Sequence, residues 1–130
     1  LYWKPGWVAT PRDEWVAIQE ELVKGEVWIV DGNHGATMDI RLAAADIVIF
    51  LDLSRRVCLW RIIKRWLQYR GRPRPDLASG CPEKLDWAFV KWIWEYPTRR
   101  PSVLQRLEQH RDGTEIIRLR TPAEIRRFLQ

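Results

Sequence analysis

Two short runs of the chain are apolar at every position. They lie at residues 27–30, which read VWIV, and at residues 47–51, which read IVIFL. A strand with water on one face alternates apolar and polar residues, whereas a continuously apolar strand is typical of a parallel sheet covered on both faces. We therefore predict two central strands. Residues 115–120 carry more charge, which indicates a further strand nearer the sheet edge.

Apolar residues at helical spacing separate the predicted strands. The first helix is expected to begin at Thr10, whose hydroxyl can cap it, with Pro11 at its first position, and to end at Gly25. The last helix is expected to begin with the same pair of residue types at Thr121 and Pro122. The other predicted helices cover residues 38–45, 55–70, 83–95 and 102–110.

Strands that alternate with helices predict an α/β fold, a parallel sheet layered by helices on both faces. With 130 residues the chain is long enough for one core, and we predict a single domain over residues 1–130. Residues 71–82 are dense in glycine and proline, which indicates a small lid-like loop. Ligands of such folds bind at the carboxyl ends of strands, where Asp31 and Asp52 stand.

Composition favours an anionic partner. The 22 basic and 17 acidic residues leave a net charge of +5, and 17 of the basic residues are arginines, which suits forked recognition of phosphate or carboxylate. The two cysteines suggest neither a disulfide framework nor a zinc site, so a reducing cytoplasmic location fits best. The apolar run at 47–51 is far shorter than the roughly 18 residues of a membrane span, so no membrane partner is expected.

The residues that can carry chemistry are a carboxylate and several arginines. Asp31 ends an apolar run before a glycine, where a carboxylate can hold hydrated magnesium beside a nucleotide; a simple Asp-Gly turn is the alternative. Arg61 and Arg65 lie four apart on a predicted helix, so they either clamp a phosphate or are solvated. Arg72 and Arg74 either close over a phosphoryl group or belong to a charged surface loop.

The chain has nine tryptophans, many for its length. Most are expected in the core, because several align with apolar stripes. Trp3 and Trp7 are the better candidates for ligand contact, since aromatic side chains interleaved with arginine can stack bases. His34 stands near Asp31 but has no placed partner, so an acid or base role is not assigned to it.

Five groups of residues occur in a recognisable order along the chain. They are Trp3-Lys4-Pro5-Gly6-Trp7, Asp31-Gly32-Asn33, Asp39-Ile40-Arg41-Leu42, Gln68-Tyr69-Arg70-Gly71 with Arg74-Pro75-Asp76, and Gly80-Cys81-Pro82-Glu83 with Asp86-Trp87. Together they resemble the DNA topology modulation proteins, P-loop proteins related to adenylate kinase. The resemblance spans essentially the whole chain, and the set is more specific than any one motif.

The resemblance implies a three-layer, nucleotide-kinase-like P-loop NTPase fold that uses ATP with Mg²⁺. Such a protein transfers phosphate to a nucleotide or another small acceptor. Asp31 then corresponds to a Walker B type carboxylate that holds the metal through water. The other implied site residues are Arg61, Arg65 and Thr121 toward the nucleotide, Arg72 and Arg74 in the lid, and Trp3, Lys4 and Arg41 on the acceptor side. The implied catalytic residues are Asp31, Arg61, Arg65, Arg72 and Arg74.

The chain departs from this family in one respect. A P-loop protein needs a G-x-x-x-x-G-K-[ST] loop to cradle phosphates, and none of the seven glycines belongs to such a loop. In the related fold the missing first strand lies between the strands predicted at 27–30 and 47–51, which leaves a gap near 10 Å, about two strand spacings. We expect an N-terminally shortened member that is deficient in ATP chemistry by itself.

Two other functions remain open. A basic nucleic-acid-binding module would use the arginines of residues 55–74 on phosphates and Trp3 and Trp7 on bases. A scaffold protein would use an exposed strand edge to recruit a partner that completes the sheet. The phosphate acceptor and the oligomeric state are not defined by the sequence.

Overall fold

The computed structural model describes residues 2–70, 72 and 80–130. Over these residues the chain is a mixed α/β protein with two two-stranded sheets and six α-helices, none of which is long and apolar enough to cross a membrane. The strands are β1 (Trp3–Lys4), β2 (Val8–Ala9), β3 (Ile47–Leu51) and β4 (Glu115–Leu119). The helices are α1 (Arg12–Leu22), α2 (Met38–Ala44), α3 (Arg55–Tyr69), α4 (Trp87–Trp94), α5 (Tyr96–Gln109) and α6 (Pro122–Phe128), and a 3₁₀ turn (Gly35–Thr37) precedes α2.

The two sheets differ in direction. Strands β1 and β2 form an antiparallel hairpin near the start of the chain. Strands β3 and β4 are parallel, with Ile47 opposite Glu115 and Leu51 opposite Leu119. Their connection contains α3, α4 and α5, the long crossover that parallel pairing requires. The strands predicted at 47–51 and 115–120 are therefore confirmed, the second one residue shorter.

The strand predicted at residues 27–30 is wrong. Residues 28–30 have no regular secondary structure, and Val27 and Ile29 are 92% and 96% exposed. Trp28 and Val30 are half-buried, so the run presents alternate residues to the protein and to water. A strand requires a neighbouring backbone with which to exchange hydrogen bonds, and within the described part of the chain none pairs with this run.

Strand β3 is not the covered central strand that its sequence predicts. Ile47, Ile49 and Leu51 are 55%, 49% and 51% exposed, whereas Val48 and Phe50 are half-buried. A continuous apolar run shows that both faces of a strand suit burial, but it does not supply the layers that bury them. One face of β3 is therefore incompletely covered.

Local capping signals are confirmed at one helix and wrong at another. The hydroxyl of Thr121 accepts a hydrogen bond from the Glu124 amide, 3.1 Å away, and caps α6 as predicted. The hydroxyl of Thr10 instead donates to the Tyr2 carbonyl, 2.8 Å away, and α1 begins after Pro11 without a side-chain cap. A tertiary contact with the hairpin thus replaces the local one.

Two helices begin away from their predicted positions. Helix α4 starts at Trp87 rather than at residue 83, because the Asp86 carboxylate accepts from the Ala88 amide at 2.9 Å and caps it there. Helix α5 starts at Tyr96 rather than at residue 102, and a proline in its first turn costs no hydrogen bond.

The buried apolar core contains few aromatic residues. Trp15 is the buried tryptophan among the described residues, so the prediction that most tryptophans lie in the core is wrong. The core side chains are Trp15, Leu42, Leu53, Ile62, Cys81, Ile93, Leu107 and Leu119. The tryptophans that are clearly exposed are Trp3, Trp60, Trp87, Trp92 and Trp94.

Candidate functional site

A cavity of about 470 Å³ runs along β3. All five residues of β3 line it, together with Trp28, Val30 and residues 31–33. Its remaining lining comes mainly from apolar side chains of α2, α4 and α5, with a few polar groups among them. This volume and this mixture are typical of small-molecule sites, which measure roughly 300–1,000 Å³.

Arg41 fixes the loop at one end of the cavity. This α2 side chain is buried, and its guanidinium donates to the carbonyls of Gly32 (2.7 Å), Asn33 (3.0 Å) and His34 (3.4 Å). Its Nε is buried without a hydrogen-bond partner among the described residues. Burial lowers the pKa of Arg41, while the nearby Asp31 carboxylate acts in the opposite direction. Arg41 is thus chiefly a backbone clamp with one unused donor.

The loop held by Arg41 has a strained backbone. Gly32 has a φ of +117°, and a Cβ at this position would lie 2.9 Å from His34 Cδ2, so only glycine fits without a shift. His34 itself has a φ of +26°. Its ring lies 4.7 Å from that of Tyr2 and 5.0 Å from that of Trp15. Burial, followed by the charge of Arg41, lowers the pKa of His34, which favours the neutral form of the ring.

Asp31 lines the same cavity as Arg41, and its side chain is exposed. Its negative charge partly opposes the lowering of the pKa of Arg41 and of His34, which places the three groups in one electrostatic neighbourhood. Magnesium needs only one or two protein carboxylates when phosphates and water supply the other ligands. Across the described residues no group of three His, Cys, Asp or Glu side chains can hold a metal by itself. Asp31 therefore fits magnesium only together with a phosphate ligand.

Trp3 and Lys4 lie in the hairpin and are absent from the cavity lining. Lys4 Nζ forms an exposed ion pair with Glu14 at 2.9 Å. The hairpin docks through Trp7, whose amide lies 3.3 Å from Cys81 Sγ and whose indole donates to the Pro82 carbonyl at 3.2 Å. The acceptor-side role predicted for Trp3 and Lys4 stays a prediction.

The two arginines predicted to act together on α3 have different surroundings. Arg61 is exposed and lines a second, shallow pocket with neighbours on α3 and Pro122. Arg65 Nε donates to Glu83 Oε1 at 3.0 Å, and this carboxylate is only 3% exposed. Neither arginine lines the cavity that contains Asp31. Glu83, which sequence reasoning did not assign, offsets the like-charge repulsion on α3.

The remaining predicted site residues lie elsewhere. Thr121, predicted to contact the nucleotide, uses its hydroxyl to cap α6 and adjoins the second pocket through Pro122. Arg72 is exposed, and its amide donates to the Tyr69 carbonyl at 2.9 Å. Arg74, like most of the predicted loop 71–82, lies outside the described residues.

Asp52 forms an ion cluster that sequence reasoning did not find. Its carboxylate is 2% exposed and accepts from Arg100 Nη2 at 2.6 Å and from Arg118 Nε and Nη2 at 2.8 and 2.5 Å. The position of Asp52 after an apolar run was the available signal. Its partners come from α5 and β4, more than 45 residues away in sequence, so no local pattern identifies them.

No family model, curated protein or solved structure matches this chain.

Proposed function

We propose that the chain forms part of a nucleotide-kinase-like phosphotransferase site of the DNA topology modulation protein type. The observation that carries this proposal is that Asp31 and Arg41 line one cavity beside a strand of a parallel pair. An oxygen ligand for magnesium and a cation for phosphate then face the same space. The proposed fold is the three-layer parallel sheet of P-loop kinases, of which β3 and β4 are two strands.

The described residues fit the two implied cofactors unequally. Asp31 suits hydrated magnesium, and the positive charge of Arg41, which lines the same cavity, would attract a phosphate group. A triphosphate also needs a run of backbone N–H groups and a lysine, and the 130 residues contain no G-x-x-x-x-G-K-[ST] loop. ATP therefore does not fit these residues alone, and we propose that the 130-residue form does not turn over ATP.

A comparison of two isosteric variants tests this role. Isothermal titration of nucleoside mono- and triphosphates, with and without Mg²⁺, should show weak magnesium-dependent binding that Asp31→Asn abolishes. Asp46→Asn is the matched control, because this exposed carboxylate precedes β3 and is absent from the cavity lining. Equal binding by both variants would remove Asp31 from the site. Turnover at ordinary kinase rates, on the order of 1–100 per second without contaminating kinase, would show that the 130 residues are not deficient.

A nucleic-acid-binding function is favoured by the second pocket. Trp60 is 64% exposed and lies with Arg56, Arg61 and Lys64 in one lining, an aromatic platform among cations. If single-stranded nucleic acid binds there, Trp60→Ala should weaken binding about tenfold, while Trp87→Ala should not, because Trp87 is 75% exposed and absent from this lining. The affinity should also fall on the order of a thousandfold between about 50 and 200 mM salt for six phosphate contacts. Weak salt dependence would exclude this function.

A further inference from the structure

The long helix α3 exposes apolar side chains on the side that faces away from the core. Trp60, Ile63 and Leu67 are 64%, 42% and 60% exposed, and their positions i, i+3 and i+7 place them along one stripe of the helix. Ile62 lies on nearly the opposite side of the helix and is buried. Helix α3 is therefore apolar on two sides, of which the protein covers the inner one.

Two cations complete this stripe. Arg56 and Lys64 lie four residues before and after Trp60, so they share its side of the helix, and both are exposed. The outer stripe of α3 therefore consists of Arg56, Trp60, Ile63, Lys64 and Leu67. It is about 17 Å long. None of these five residues lines the cavity beside β3, where the related fold has its additional strand, so a strand there would not cover the stripe.

The charge of α3 is positive along its whole length. The helix has five cations and no acidic residue. Arg65 is paired with Glu83 at 3.0 Å. In contrast, Arg56, Lys64 and the neighbouring Arg61 form no ion pair with any described residue. A partner for the outer stripe must therefore bring negative charge and an apolar phase to the same side of the helix.

Three kinds of occupant differ in how well they meet this requirement. A second copy of the chain would place the same cations opposite one another, because the stripe contains no acid. A single-stranded nucleic acid would stack on Trp60 and contact the cations, but Ile63 and Leu67 have no ring on which a base stacks. An anionic phospholipid surface offers phosphates to the cations and acyl chains to all three apolar side chains, which is the pattern of interfacial helices.

We propose that the outer stripe of α3 binds an anionic phospholipid bilayer surface. Trp60, Ile63 and Leu67 enter the boundary between headgroups and acyl chains, while Arg56 and Lys64 contact lipid phosphates. Helix α3 lies on the bilayer and does not cross it, so its 15 residues need not reach the roughly 18 residues of a span. The contact uses no nucleotide and no magnesium, so it goes beyond the proposed phosphotransferase role and is tested separately.

Vesicles of two compositions test the attraction on the unaltered protein. The probes are large unilamellar vesicles of phosphatidylcholine alone and of phosphatidylcholine with about one-third phosphatidylglycerol, and sedimentation measures the bound protein. Each basic residue at an anionic surface strengthens binding about fivefold, so Arg56, Arg61 and Lys64 together predict a preference on the order of a hundredfold for the anionic vesicles. Equal binding to both vesicles, or no binding to either, would overturn the proposal.

Tryptophan quenching identifies the side of the protein that touches the lipid. Lipid brominated in its acyl chains should quench the emission of the wild type, and Trp60→Phe should lose most of this quenching while it keeps its binding. Trp87→Phe is the matched control, because Trp87 is 75% exposed but lies on α4, and it should be quenched like the wild type. Quenching that survives unchanged in Trp60→Phe would place the lipid at another surface and contradict the assignment.

Substitution of the two aliphatic residues separates lipid from nucleic acid. The double variant Ile63→Gln, Leu67→Gln should bind anionic vesicles about tenfold more weakly, because two half-exposed apolar side chains no longer enter the bilayer. Ile29→Gln changes an isoleucine that is 96% exposed outside α3, so it should bind like the wild type, and circular dichroism should show all variants folded. If the double variant binds vesicles like the wild type, or if the wild type binds a single-stranded oligonucleotide and no vesicles, the stripe is not a lipid-binding surface.

Discussion

The Asp52 cluster determines how firmly the end of β3 is held. Replacing Asp52 by Asn keeps the size of the side chain but removes the charge that neutralises Arg100 and Arg118. The Asp52 carboxylate is 2% exposed, so in the folded protein the arginines solvate it in place of water. The variant leaves two guanidinium groups near each other without their shared anion. Asp52→Asn should therefore destabilise the fold.

The expected loss follows from the exposure of the two partners. Removing one member of a fully buried pair costs about 3–5 kcal/mol. The Arg100 and Arg118 side chains are 41% and 28% exposed, so water can solvate them when the carboxylate is lost. Discounting for this screening, we expect a loss of about 2–3 kcal/mol in the free energy of unfolding. That is a large part of the stability of a typical domain, about 5–15 kcal/mol.

Urea unfolding followed by circular dichroism measures this loss. Asp52→Asn should lower the midpoint by about 1 M, while Asp46→Asn, an exposed carboxylate, should change the stability by less than about 0.5 kcal/mol. Adding Arg118→Met to Asp52→Asn should recover part of the loss, because it removes one unpaired cation. If Asp52→Asn is as stable as Asp46→Asn, the Asp52 cluster contributes nothing to the stability of the fold.

Three further predictions concern the loop at the cavity and the segment that follows residue 80. Gly32→Ala should lower stability by about 1–3 kcal/mol, because its φ is +117° and its Cβ would contact His34; thermal unfolding should show no comparable loss for Gly35→Ala, which has open space. The pKa of His34 is lowered below 6.5, so the unfolded chain binds its proton more readily. The stability advantage of the wild type over His34→Gln should therefore be constant above about pH 7 and shrink as the pH falls below 6.5. An advantage that grows in acid would contradict a lowered pKa for His34. Glu83→Gln should cost about 1–2 kcal/mol in urea unfolding because this carboxylate is 3% exposed, while Glu108→Gln, whose pair is exposed, should be near neutral; equal effects would show that burial does not matter here.

Of the residues that form the candidate site, the sequence predicted two polar ones, Asp31 and Arg41. The position of Asp31 after an apolar run identified a group that lines the cavity, and Arg41, named through the family resemblance, lines it too. No sequence pattern predicts the contacts of Arg41 with three loop carbonyls, because the residues around Arg41 do not show which part of the chain its guanidinium contacts. Tertiary structure likewise decides that Arg61 lies in a shallow pocket and that Arg65 pairs with Glu83.

The sequence alone determined the features that depend on neighbouring residues. The capped start of α6 and the long helix α3 both arise from contacts within a few positions, so local patterns predict them. Tertiary structure decided whether each apolar run became a strand. Residues 47–51 found β4, whereas residues 27–30, equally apolar, found no partner among the described residues and remained irregular. A strand is stable only when a second backbone satisfies its hydrogen bonds, and that backbone is supplied by the fold rather than by the strand's own sequence.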